Sequence, residues 1–165
     1  MVQTKVNFEI IPYHVARKAD FKTLNIEWIT KYFKVEPEDI RVLDFPEENI
    51  INTGGAIFFA VVNGETAGCC GLLSEEGGKV LELVKMAVKP AFQGLKIGEA
   101  LCAHAIEYAR ARGVRALYLV SNRKLHPALA LYRKVGFVEV PIKECDLALF
   151  ERCDIRMNIE FFVIP

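Results

Sequence analysis

The chain has 165 residues, of which 52% are apolar, and its 21 basic and 21 acidic side chains leave a formal net charge of zero. That length suits a single domain over residues 1–165 with a substantial core, and the charge balance leaves no electrostatic footprint for nucleic acid or an anionic membrane surface. The start of the chain lacks the basic and apolar run of a secretory signal, and the longest apolar run, Ala56 to Val62, is far too short to span a bilayer. A cytoplasmic protein with no membrane partner is expected.

In chain order, Val6 to Ile11 reads as a first strand closed by Pro12. Asp20 is placed as a helix N-cap, followed by Phe21, Leu24, Trp28 and Tyr32 at helical spacing. Residues 34–49 are acidic but keep an apolar thread, which predicts short helices and loops. Ala56 to Val62 then reads as a strand, Asn63-Gly64 as a two-residue hairpin, and Thr66 to Leu73 as the returning strand. After the turn at Glu75 to Gly78, Val80 to Val88 is the next strand, ended by Pro90.

There the apolar period changes from two to 3.6. Ile97, Leu101, Ala105 and Tyr108 share one helix face, Cys102 and Ala109 lie beside them, and Gly113 is placed as the cap. Arg115 to Val120 reads as a strand, Pro127 to Val135 as a short helix capped by Gly136, and 137–140 and 154–161 as two last strands. The helix after Val88 should join two parallel neighbours by a right-handed crossover. The order predicts an α+β fold: a mixed, mostly antiparallel sheet with a central βαβ crossover and flanking helices.

The five cysteines, at 69, 70, 102, 145 and 153, are odd in number and contain no CxxC spacing. Adjacent Cys69 and Cys70 should point to opposite faces of their strand. Buried reduced thiols are expected, and no metal site.

The segment Gln93-Gly94-Leu95-Lys96-Ile97-Gly98 lies between a strand and the first turn of a helix. The first amides of that helix have no partner within it, and the helix dipole adds partial positive charge there. Gly94 and Gly98 let main chain approach a ligand closely. This is a site for phosphate or pyrophosphate, although tight packing of Gly98 against the sheet would explain the glycine equally well. No Gly-Lys-Ser/Thr ending and no GxGxxG after a first strand is present, so P-loop and Rossmann readings fail.

Two stretches carry a family resemblance. Glu82 to Val88, Pro90 and Gln93-x-x-Lys96-x-Gly98 resemble the cofactor motif Arg/Gln-x-x-Gly-x-Gly/Ala of the GNAT family, the Gcn5-related N-acetyltransferases. Downstream, Ala128-x-x-Leu131-Tyr132-x-Lys134-x-Gly136-Phe137 is similar to that family's second hallmark. The departure is Lys96, which stands where the motif has its central glycine.

The resemblance implies a GNAT-like fold and acetyl transfer from acetyl-CoA to a primary amine by direct attack. The acceptor, a small molecule or a peptide, is not named by the sequence, and a homodimer stays open. The implied cofactor-binding residues are Met86, Ala87, Val88, Gln93, Gly94, Leu95, Lys96, Ile97, Gly98, Glu99 and, less directly, Asn122. Tyr132 would protonate the leaving thiolate, unless it is simply an apolar helix residue. Glu82 reads as sharing a strand face with Val80, Val84, Met86 and Val88. A carboxyl there should have a raised pKa and would serve as base, or else pair with a cation across the sheet. Trp28, Tyr32, Phe33 and the acidic stretch 36–48 would shape an acceptor pocket or form an ordinary core face and a solvated one, and segment 142–153 is a second place for acceptor specificity. A non-catalytic acyl-CoA-binding module and an enzyme for longer acyl-CoA are the alternatives.

Overall fold

The computed structural model describes residues 5–162. Seven strands form one sheet: β1 (Glu9–Pro12), β2 (Ala56–Val62), β3 (Glu65–Glu75), β4 (Val80–Val88), β5 (Ala116–Ser121), β6 (Val138–Val140) and β7 (Ile155–Glu160), in the spatial order β1-β2-β3-β4-β5-β7-β6. Every pairing is antiparallel except β4 with β5. The expected central crossover is therefore present, and α3 (Ile97–Ala111) makes it.

The hairpin joining β2 to β3 turns on Asn63 and Gly64, both at positive φ (49° and 81°), the conformation that this dipeptide favours. Helices α1 (Lys18–Tyr32) and α2 (Pro37–Asp44) cover one face of the sheet, and α3 with α4 (His126–Val135) covers the other. Each face has its own core. Phe21, Ile29, Leu43 and Phe59 anchor the first, while Leu81, Leu101, Leu117 and Phe137 anchor the second. Cys69 belongs to the first core and Cys70 to the second, as strand alternation requires.

Some expectations need correction. Asp20 is not the cap of α1, because a short 3-10 turn over Val15–Arg17 starts the helix earlier. Asp20 instead accepts a hydrogen bond from the Thr66 hydroxyl (2.6 Å). The final loop contains a further helix, α5 (Glu144–Leu149), which is too short for periodicity to reveal. It is fastened through Asp146, whose carboxylate takes a forked pair of bonds from Arg156 (2.8 and 2.9 Å). All cysteines are free thiols, but Cys145 is exposed rather than buried.

A β-bulge reshapes β4. Gly71 pairs with Val84 and Cys69 with Ala87, so Cys70 alone faces both Lys85 and Met86. Lys85 sits at φ 52°, in the left-handed region. The extra residue reverses the alternation: Glu82 and Val84 stay on the α1/α2 face, whereas Met86 and Val88 turn to the α3 face. The expected common face for Glu82, Met86 and Val88 is thus broken in the middle.

Candidate active site

Strands β4 and β5 run side by side only through Val80–Ala116, Leu81–Leu117 and Glu82–Tyr118. Beyond Glu82 they part, and a cavity of about 120 Å³ opens between them. That is small beside a typical ligand pocket, so it admits reacting groups and not a whole coenzyme. Because it opens through the sheet, it is reached by side chains from both faces. Glu82 enters from the α1/α2 face and Tyr132 from α4 on the other.

Glu82 is 5% exposed. Burial and the nearby Glu75 carboxylate push its pKa up to about 8, against a hydrogen bond from the Tyr118 hydroxyl that pulls it down. Tyr132 stands edge-on to the buried Phe137 ring, with centroids 5.9 Å apart, and its phenol is pushed upward by burial. The αL glycine Gly136 (φ 116°) ends α4 and turns Phe137 inward, which fixes that ring against Tyr132.

The glycine-bearing loop leads from β4 into α3. Pro90–Phe92 makes one 3-10 turn, Gly94 lies at φ 81°, and Lys96 flanks the helix at φ 63° and ψ 22°. The lysine therefore occupies the left-handed conformation that a glycine would adopt without strain. The amides of Lys96, Ile97, Gly98 and Glu99 donate to no acceptor among the described residues, so they form a row of donors at the helix N-terminus. A β-carbon on Gly98 would come within 3.4 Å of Leu131 and 3.7 Å of Val88. Close packing against α4 and β4 thus accounts for this glycine in part. Ile97 is buried, Leu95 packs against the core, Gln93 makes only a long contact to the Val88 carbonyl (3.4 Å), and Glu99 pairs with Lys134 (2.9 Å).

The remaining expected residues divide. Met86 lines the cavity, whereas Ala87 is buried in the α1/α2 core and Val88 packs against the other. Asn122 also lines the cavity, but its side chain donates to the Arg152 carbonyl (2.7 Å) and accepts from the Lys124 amide (2.9 Å). It is already occupied in holding its own loop.

Trp28 and Phe33 reach the cavity, while Tyr32 stays at the surface. The acidic stretch is largely neutralised from within the chain. Asp39, fully buried, is gripped by both guanidinium nitrogens of Arg152 (2.6 and 2.8 Å) and by Lys85 Nζ (2.5 Å). Burial opposes its charge, yet these bonds hold its carboxyl down to about 2. Glu36 also accepts from Arg152, Asp44 pairs with Lys22, and Glu47 with Lys18. Among the acidic side chains of this stretch only Glu38 lines the cavity, and it is paired with Arg41.

Sequence reading missed Tyr118, Glu75, Lys85, Asp39 and Arg152 around the site. The one signal available was strand pairing, since a polar residue in β5 opposite Glu82 would have been sought had the register been known. Among the described residues no cluster of His, Cys, Asp or Glu is arranged to hold a metal ion, and no helix is long and apolar enough to cross a membrane.

Comparison with known proteins shows the family. The family model "Acetyltransferase (GNAT) family" matches residues 22–137. An uncharacterised N-acetyltransferase of Methanocaldococcus jannaschii is 33% identical over 100 residues, covering 58% of this chain and 44% of that protein. An uncharacterised N-acetyltransferase of Escherichia coli K12 is 32% identical over 110 residues, covering 63% of each. The matches to the M. jannaschii protein and to a Xenopus tropicalis relative each span less than half of those proteins' length. Among solved structures, an acetyltransferase of Staphylococcus aureus Mu50 superposes with a TM-score of 0.81 at 25% identity, over 93% of this chain and 99% of that one. A Salmonella typhimurium structure holding acetyl-CoA superposes at 0.73 and 17% identity over 96% and 98%, a likeness of fold.

Proposed function

From a chain that belongs to the GNAT acetyltransferase family, we propose an enzyme that transfers an acetyl group from acetyl-CoA to a primary amine by direct attack. The observation that carries this reading is the meeting of Glu82 and Tyr132 in one cavity where β4 and β5 separate. The row of free amides at Lys96 to Glu99 supports a pyrophosphate seat at the end of the loop that leaves β4.

The chemistry then divides among few groups. Glu82, in its carboxylate form, takes a proton from the acceptor ammonium, directly or through water. With an amine pKa of about 10.4, an ordinary glutamate would leave that transfer uphill by roughly 8 kcal/mol. Raised to about 8, Glu82 cuts the deficit to roughly 3 kcal/mol. The free amine attacks the thioester carbonyl, and the C–S bond breaks as the C–N bond forms. Backbone N–H groups of β4 near the bulge would donate to the developing oxyanion. Tyr132 gives its proton to the departing thiolate and recovers one from the nitrogen, which sheds its second proton as it becomes the amide. Burial raises the phenol's pKa, and the basicity of a thiolate forming in the same desolvated cavity is raised by the same cause.

The test is a panel of primary amines screened for thiol release from acetyl-CoA. Release above the spontaneous rate with at least one amine is expected. Tight acetyl-CoA binding with no release from any amine would instead identify a non-catalytic acyl-CoA-binding module.

A further inference from the structure

A row of polar side chains crosses the α1/α2 face of the sheet: Glu75 at the end of β3, Glu82 on β4, Tyr118 on β5 and Arg156 on β7. Tyr118 is 5% exposed, and its oxygen lies 2.7 Å from Glu75 and 3.1 Å from Glu82. A phenol has one hydrogen to give and two carboxylates to satisfy. The shorter contact takes the hydrogen, so it points to Glu75. Glu82 then bonds to the phenol oxygen only by carrying a proton of its own.

We propose that Tyr118 and Glu75 are the outlet through which Glu82 discharges its proton to solvent. The inference rests on the acetyl-transfer reading, in which Glu82 is the base. After the amine has given its proton to Glu82, the Glu82 O–H bond breaks as that proton bonds to the Tyr118 oxygen. The phenol's former hydrogen passes at the same time to the Glu75 carboxylate. Tyr118 is neutral before and after. Glu75 is half-buried rather than enclosed and releases its proton to water. The phenolic hydrogen, now turned to Glu82, swings back to Glu75 when Glu82 is protonated again.

The remaining charged groups around Glu82 do not compete for this role. Arg156 lies over the Tyr118 ring at 3.7 Å and is paired with Asp146 of α5, so the two charges offset each other. Burial pushes the Cys153 thiol up to about 11, which leaves it neutral near pH 8. The Arg156 guanidinium also fixes the phenol ring. Tyr118 and Glu75 do not line the cavity and are thus positioning and conducting groups.

The experiment needs no acceptor. The full chain is labelled with ¹³C at glutamate side-chain carboxyls, Glu82 is assigned by loss of its signal in Glu82→Gln, and its titration is followed by NMR. The midpoint expected for the unaltered protein is about 8. The bond that Tyr118 donates to Glu82 once the carboxylate has formed is stronger than the one it accepts from the neutral acid, so Tyr118→Phe should move the midpoint up. Glu75→Gln removes a like charge and should move it down. At its midpoint, Tyr118→Phe should also show exchange broadening of the Glu82 signal that added imidazole relieves, because the proton has lost its route. Glu75→Gln is a half-exposed change and remains informative if Tyr118→Phe fails to fold. Unmoved midpoints, shifts in the same direction, or absence of buffer-relieved broadening would each overturn the outlet. No amine is present, so failure here is separate from failure to find turnover.

Discussion

Glu82 faces Tyr118 at the last position where β4 and β5 are paired, and the sheet opens immediately beyond them. The carboxyl is thus held by strand geometry at the inner end of the cavity, where burial sets its ionisation.

That ionisation bears on stability. Glu82 is raised to about 8 from an ordinary 4.5, so the folded state holds the proton more firmly than the unfolded chain. Its contribution is fully present below pH 4.5 and is lost as pH rises toward 8. Glu82→Gln keeps the shape and donor while removing the titration. The variant should match the unaltered protein near pH 4.5 and become more stable as pH rises, by an amount approaching roughly 5 kcal/mol at pH 8. Chemical denaturation at a series of pH values measures the difference. A constant difference would show that Glu82 titrates at its ordinary value.

Asp39 holds two buried cations, Lys85 and Arg152, that line the cavity. Asp39→Asn removes the charge and leaves both cations without it. A loss of about 3–5 kcal/mol is expected, with Lys85 freed from its place on the β4 bulge. Denaturant unfolding checks this, and a loss below about 1 kcal/mol would mean that the pairs are exposed to water in solution.

Lys96 tests the pyrophosphate seat. Lys96→Gly relieves the left-handed backbone and should stabilise the fold by about 1 kcal/mol. It should cost only a few-fold in coenzyme A affinity, because the free amides remain. Lys96→Glu places a negative charge at those amides and should weaken binding by at least about tenfold, or 1.4 kcal/mol. Calorimetric titration of coenzyme A into the three proteins decides the point. Equal affinities would remove the lysine, and with it the charge argument, from the site.

The elements that sequence made legible are those with a strong period or a demanding turn. The Asn63-Gly64 hairpin, the apolar stripe of α3 and the Gly136 cap each follow from a local requirement, and β2 and β4 lie at the expected residues. The bulge at Lys85 was not legible, since a lysine at positive φ leaves no local signal and is held there by contact with Asp39, 46 residues away. Likewise α5 is fixed by Arg156 rather than by its own periodicity. The loop and Tyr132 could be picked out from motif spacing. The partners of Glu82 required the register of three strands, which no single stretch of sequence carries.

The direct test of the account is a comparison of unaltered protein and Tyr132→Phe, using the amine that releases coenzyme A fastest. The account predicts a fall in kcat of at least about a hundredfold, with coenzyme A affinity within about twofold because the phenol is absent from the pyrophosphate seat. Full turnover by Tyr132→Phe would contradict the assignment of Tyr132 as the group that protonates the leaving thiolate.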